Sequence, residues 1–246
     1  MNEMSQSNIL DQLKDKIYLI AGDASPRKFY RFNCKKQLLV YCSKDKKNNL
    51  LNYFKINDYL NSNKIKAPFT IKKNIKKNYI IIEDFGDNLI KKMIYKKKNK
   101  FFYFKKIVNE LLKLQKIKPN KTLPKYSKQL LVNELNLFYE WYLPEFFSNE
   151  KIKKIKKKIN LILIKYIKQT LKFNKVFVHR DFHIENLILS KGKICLIDNQ
   201  DAVIGHPVYD LMSLIDDVRV YLKKKDQDKI YNYYVAKNKK IPKEFN

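Results

Sequence analysis

Apolar positions recur along the chain with two periods, and the change from one to the other divides it. In the first third they fall in short alternating or clustered runs between polar turns, which predicts strands at 16–20, 28–32, 37–42, 69–72 and 78–83. A polar turn at 33–36 joins the second and third of these. Two helices fall among them: 4–13, with Ile9, Leu10 and Leu13 on one face, and 49–60, through Leu50, Tyr53, Phe54, Asn57 and Leu60. The block Asp84-Phe85-Gly86-Asp87 breaks the pattern, and helical spacing then dominates. Helices are predicted at 89–97, 101–117, 127–142 and 149–171, punctuated by Pro119, Pro124 and Pro144. A strand at 175–178 and a hairpin of 186–189 and 193–197 around Lys191-Gly192 follow, and helices at 208–222 and 227–237 close the chain. No internal repeat is visible. This order predicts an α+β fold: a small N-terminal antiparallel β lobe, 1–87, hinged to a larger, mainly helical C-terminal lobe, 88–246, with a ligand cleft between them.

Composition narrows the class. Hydrophobic residues make up 45% of 246, enough for a packed core. No apolar run approaches the ~18 residues that a membrane span needs. The N-terminal segment is polar and carries Glu3, unlike a signal peptide. Cys34, Cys42 and Cys195 form no Cys-x-x-Cys pair, which argues for a reducing compartment, by default the cytoplasm. The net charge of +29 suggests nucleic acid, but nearly all of it is lysine, with arginine only at 27, 31, 180 and 219. Five alanines beside abundant Ile and Asn fit the skew of AT-rich codons, and a nucleic-acid site would draw more on arginine. Even the run 151–158 keeps a helical stripe of Ile152, Ile155, Ile159 and Ile162. The charge therefore reads as solvated surface, with no nucleic-acid or membrane partner expected. Oligomeric state is not legible.

The chemistry sits in Val178-His179-Arg180-Asp181-Phe182-His183-Ile184-Glu185-Asn186-Leu187, followed by Cys195-Leu196-Ile197-Asp198. An Asp and an Asn five residues apart on a tight loop can face one cleft. Phosphoryl transfer to an alcohol asks for a carboxylate near the hydroxyl, hard oxygen ligands for Mg²⁺, and positioning. Asp181 can accept or orient the hydroxyl proton. Asn186 and Asp198 can offer a neutral and a charged oxygen to the metal. Singly, each residue is more often a turn or cap, and His179 a hydrogen-bonded scaffold. The spacing, after an apolar strand and before a Gly-turned hairpin ending in Ile-Asp, makes the combination specific.

These residues, with Gly205-His206-Pro207-Val208-Tyr209-Asp210-Leu211, resemble the aminoglycoside phosphotransferase/choline kinase superfamily. Within it the chain is similar to the anomeric N-acetylmuramate/N-acetylglucosamine kinases at four further places. They are Ala21-Gly22-Asp23-Ala24-Ser25-x-Arg27-x-x-Tyr30-Arg31, Glu83–Asp87, Glu134–Tyr142 with its Trp141, and Asp198-Asn199-Gln200-Asp201-Ala202. The resemblance spans roughly 17–215 and implies a kinase-like two-lobed fold and an ATP- and Mg²⁺-dependent small-molecule kinase. It implies Asp181 as catalytic base and Asn186 and Asp198 as Mg²⁺ ligands. Gly22, Asp23, Ala24 and Ser25 become the turn over the ATP phosphates, and Glu83, Asp84 and Phe85 the hinge that meets adenine. Asp201 would support the metal or the sugar, and Asp210 would brace the catalytic loop. The expected acceptor is an amino sugar at its anomeric hydroxyl. The alternatives are choline, homoserine or an aminoglycoside, or a non-catalytic nucleotide- or RNA-binding protein on the same scaffold.

Four details qualify the resemblance. Asp84-Phe85-Gly86 spells the protein-kinase metal motif but precedes the catalytic loop. Only eleven residues separate Asp198 from Asp210, too few for a protein-kinase activation segment, which favours a small acceptor. The strand at 37–42 has no lysine and the helix at 49–60 no glutamate, where protein kinases pair the two; Lys44 is the nearest substitute. On this resemblance the chain also stops at Asn246, before the last helices of the family.

Overall fold

The computed structural model describes residues 9–21, 26–96, 100–120, 122–173 and 175–238. Its first lobe is a five-stranded antiparallel sheet of β1 (Ile17–Ala21), β2 (Arg27–Phe32), β3 (Gln37–Cys42), β4 (Thr70–Asn74) and β5 (Tyr79–Glu83), in the order β1-β2-β3-β5-β4. The central strand β3 is buried on both faces. Val40 and Cys42 pack with Leu50 and Tyr53 of α2 (Lys47–Ser62), while Leu39 packs with Ile17, Tyr79 and the short α1 (Ile9–Leu13). Helix α2 also reaches past its own sheet, since Ile56 and Leu60, with Ile65 and Ala67, belong to the core of the second lobe.

That lobe is built on α4 (Lys100–Lys116), whose Phe104, Ile107, Val108, Leu111 and Leu114 recur at helical spacing and are fully buried. Around it stand α3 (Ile90–Lys96), α5 (Lys128–Leu137), α6 (Asn149–Leu171), α7 (Tyr209–Ile215) and α8 (Lys224–Lys237). Two small ribbons carry the loops: β6 (Val176–Val178) pairs with β9 (Val203–Gly205), and β7 (Leu187–Ser190) with β8 (Lys193–Leu196). The lobes meet at Asp84–Asn88, where Phe85 packs on Ile188 and Cys195 of the second ribbon. Among the described residues no helix is long and apolar enough to cross a membrane.

Three elements differ from the sequence expectation. Strand β9 was not predicted; it is three residues long, pairs with β6 and bonds the Pro124–Tyr126 backbone through Ile204. The helix expected at 208–222 ends at Ile215, because Asp217 folds the next residues into a turn, accepting the Arg219 N–H on its carboxylate and the Val220 N–H on its carbonyl. Val220 and Leu222 are buried all the same, so the apolar pattern is satisfied without a helix. The helix expected at 127–142 changes at Phe138 into a single wide π turn, Phe138–Tyr142, ahead of Pro144, which has no N–H to continue an α-helical ladder.

Candidate active site

Strand β6 is buried along its length and delivers the chain at His179 into the core. The next eight residues keep one shape because several anchors hold them. Phe182 and Ile184 plug into the second-lobe core with no exposure. Asp210, fully buried in the first turn of α7, accepts the His179 N–H on Oδ2 at 2.8 Å and the Arg180 N–H on Oδ1 at 3.0 Å. Burial pushes the Asp210 carboxyl up to about 7, against those two bonds, which favour its charged form. Burial also drives His179 down to about 4, so its ring is neutral. Nε2 stands 3.1 Å from the Ile197 carbonyl, which can only accept, so Nε2 carries the proton and donates it. His179 thereby ties the loop to the end of the second ribbon.

Arg180 fastens the other side. Its guanidinium donates to Glu134 of α5 at 2.5 Å and to the Tyr126 hydroxyl at 3.1 Å, and that hydroxyl lies 3.1 Å from Glu134 as well. Arg180 (φ 75°) and Asp198 (φ 65°) both occupy the left-handed region. Non-glycine residues persist there only where their surroundings enforce it, and such positions cluster at functional sites.

Asp181 is half-buried beside Arg180. Burial, with the Asp198 charge second, raises its carboxyl above the usual range, and the Arg180 charge opposes the rise. Asn186 donates Nδ2 to the Asp181 carbonyl at 3.1 Å, which leaves its amide oxygen as the acceptor on offer. The Ile197 N–H bonds the Asn186 carbonyl at 3.1 Å and sets Asp198 beside it. Asn186 and Asp198 line a cavity of about 600 Å³ between the lobes, with apolar walls from Leu38 and Ile82 above and Ile188 and Ile197 below. Asp181 does not line that cavity; its backbone carbonyl is bonded to the Asn186 amide, which does. The donor chemistry suits Mg²⁺, which takes one or two protein oxygens and fills its octahedron with phosphate and water. Among the described residues no group of three His, Cys, Asp or Glu side chains could hold a metal unaided.

Glu83, Asp84 and Phe85 form the back of the same cavity. Their side chains are committed elsewhere: Glu83 pairs with Lys66 at 2.6 Å, and Asp84 accepts from Arg31 at 2.6 Å and from the Gly86 N–H at 2.8 Å. Arg31 also grips Asp87 at 2.8 Å, so one guanidinium from β2 clamps the linker between the lobes. The Asp84-Phe85-Gly86 string thus lies in the segment that joins the lobes. Gly22, Asp23, Ala24 and Ser25 lie outside the described residues, as does the Lys44 side chain. A separate cavity of about 760 Å³ is lined by Lys64, Lys106, Lys116 and Lys193 among others and holds none of the loop residues.

Sequence reasoning assigned no role to Arg27, Gln200 or Tyr126. Arg27 donates to Asp198 Oδ1 at 2.7 Å and to Gln200 Oε1 at 2.5 Å. Two signals for it were available: its place in the block from Ala21 to Arg31, and its rarity as one of four arginines in a lysine-rich chain.

A sequence profile described as the phosphotransferase enzyme family matches residues 19–239. The chain is 26% identical over 202 residues to a protein of Neisseria meningitidis serogroup B named N-acetylmuramate/N-acetylglucosamine kinase, covering 80% of this chain and 60% of that one. It spans about 60% of the length of the curated relatives it matches. Among solved structures, an aminoglycoside phosphotransferase in complex with gentamicin superposes with a TM-score of 0.71 at 18% identity, over 96% of this chain and 83% of that one. A choline kinase from Streptococcus pneumoniae gives 0.67 at 15% identity, over 95% and 80%. At such identities the structural likeness is one of fold.

Proposed function

Since the chain belongs to the phosphotransferase enzyme family, we propose that it is a cytoplasmic, ATP- and Mg²⁺-dependent kinase that phosphorylates a hydroxyl of a small molecule. The acceptor we infer is an amino sugar, N-acetylmuramate or N-acetylglucosamine, at its anomeric hydroxyl. The observation that carries the reading is the loop pinned by Asp210, His179 and Arg180, with Asn186 and Asp198 on the inter-lobe cavity and Asp181 tied to Asn186 through its backbone carbonyl. The acceptor class is supported by the name of the curated relatives.

Asp181 is assigned the acceptor hydroxyl. Its raised pKa makes it a better base than an exposed carboxylate, and the Arg180 charge opposes that rise. Asn186 and Asp198 would hold Mg²⁺, which supplies charge neutralisation on the phosphates when bound. The apolar walls of the cavity would take the adenine. The N–H groups of Glu83 and Asp84 already bond the Phe69 and Lys36 carbonyls, so Phe85 N–H is the hinge donor proposed for the base. Residues 22–25 are assigned to the phosphates as a turn of backbone N–H groups. The nucleotide lobe is taken as 1–87 and the acceptor lobe as 88–246.

A cationic acceptor such as choline or an aminoglycoside is the second reading, favoured by the carboxylates of Asp198, Asp201 and Glu134 that surround Asp181 electrostatically. Arg180 in the same cluster weighs against it. One screen separates them: ATP consumption with amino sugars, choline, homoserine and aminoglycosides. Turnover with N-acetylmuramate or N-acetylglucosamine, abolished in Asp181→Asn with the fold intact, is the expected result. Near-wild-type turnover in that variant removes Asp181 from its role. Turnover with cationic acceptors alone replaces the sugar reading.

A further inference from the structure

The phosphate-holding pair of a lysine on β3 and a glutamate on the following helix is absent: β3 reads Gln-Leu-Leu-Val-Tyr-Cys, and α2 buries Tyr53 and Asn57 on its inner face. Arg27, the first residue of β2, fills the space. Its side chain is 2% exposed and crosses from one lobe to the other, with Nη2 at 2.7 Å from Asp198 Oδ1 and Nη1 at 2.5 Å from Gln200 Oε1. The ring of Tyr53 lies 4.7 Å from the guanidinium carbon and that of Phe29 5.7 Å, so aromatic faces cover it on the sheet side.

Two features point beyond structural bracing. A buried guanidinium needs a fixed counter-charge, and this one takes the carboxylate assigned to the metal, using one of its two oxygens. Its other forked donor rests on a neutral amide oxygen, a weaker acceptor than a phosphate oxygen would be. Lysine could not match this arrangement, since a planar fork spans two acceptors at once.

We propose that Arg27 is the phosphate-binding cation of this cleft, acting from β2 where protein kinases act from β3, and that Gln200 is its resting partner. Nucleotide phosphate takes Nη1 from Gln200, while Nη2 stays on Asp198 and keeps that carboxylate aimed. The inference rests on the kinase reading above and gives that site a second contact to the nucleotide beside the metal.

The test is metal-free binding. Wild type, Arg27→Gln, Arg27→Lys and Gln200→Ala are titrated with ADP and with adenosine in EDTA, after melting curves show each is folded. Arg27→Gln should lose ADP affinity by about 10- to 100-fold, the range for one hydrogen bond to a charged group. Its adenosine affinity should not change. Arg27→Lys should recover part of the ADP affinity. Gln200→Ala, which frees Nη1, should bind ADP at least as tightly as wild type. Equal ADP affinity in Arg27→Gln overturns the proposal. Parallel losses for ADP and adenosine overturn it too and make Arg27 a brace of the cleft. If Arg27→Gln does not fold, a large loss of ADP affinity in Gln200→Ala overturns the hand-over by itself. Wild type that binds neither ligand refutes the kinase reading, and this inference with it.

Discussion

Replacing Asp210 with alanine leaves two buried N–H groups, those of His179 and Arg180, without the oxygens they reach at 2.8 and 3.0 Å. An unpartnered buried donor costs roughly 1–3 kcal/mol, so the pair costs roughly 2–6 kcal/mol. A domain holds only about 5–15 kcal/mol in total, so Asp210→Ala should sit near the edge of folding. Asp210→Asn separates charge from geometry. Burial already lifts the carboxyl to about 7, so the neutral form is within easy reach and loss of charge alone costs little. The amide, however, has one oxygen for two donors and turns its own N–H₂ toward the second. Asp210→Asn should therefore lose roughly 1–3 kcal/mol, about half the alanine effect. Urea unfolding at neutral pH measures both. Turnover on the acceptor found by the screen should fall in the same order, since Asp181 directly follows the pinned Arg180. An alanine variant within about 0.5 kcal/mol of wild type, the range of a neutral surface change, would refute the account. So would an asparagine variant less stable than alanine.

Two further predictions use the same measurements. In Gly205→Ala the new methyl would stand 2.8 Å from Tyr126 Cδ2 and 2.9 Å from Val178 Cγ2, an overpacking cost of roughly 1–3 kcal/mol; since Tyr126 supports Arg180, turnover should drop as well, and an unchanged urea midpoint would count against it. His179 is a base whose folded pKa, about 4, lies below its ordinary 6.5. The unfolded chain therefore takes the proton first, so this site's stabilisation is complete above pH ~6.5 and is lost as pH falls toward 4, by about 3 kcal/mol in all. Urea unfolding from pH 7 to 4 should show that slope reduced in His179→Gln, and an identical slope in the two proteins would rule the assignment out.

The sequence by itself determined what depends on near neighbours. Period-two runs gave the five strands of the sheet, and period 3.6 gave α2, α4 and α6 to within a few residues. The spacing of Asp181 and Asn186 put both on one loop, because eight residues between two strands leave few ways to arrange them. Asp210 was reachable through its motif, though not the two N–H groups it holds. Tertiary structure decided the pairs that join distant segments. Arg27 meets Asp198 across 171 positions, and Arg31 meets Asp84 across 53. Arg180 reaches back 46 positions to Glu134, and β9 becomes a strand because β6 and the Pro124–Tyr126 segment offer it partners. Periodicity reports which face of an element is apolar, not which charged group another element brings to it. The lysine missing from β3 was therefore visible in the sequence as an absence. The arginine that occupies its place became visible only when β2, α2 and the Asp198 turn packed around one buried guanidinium.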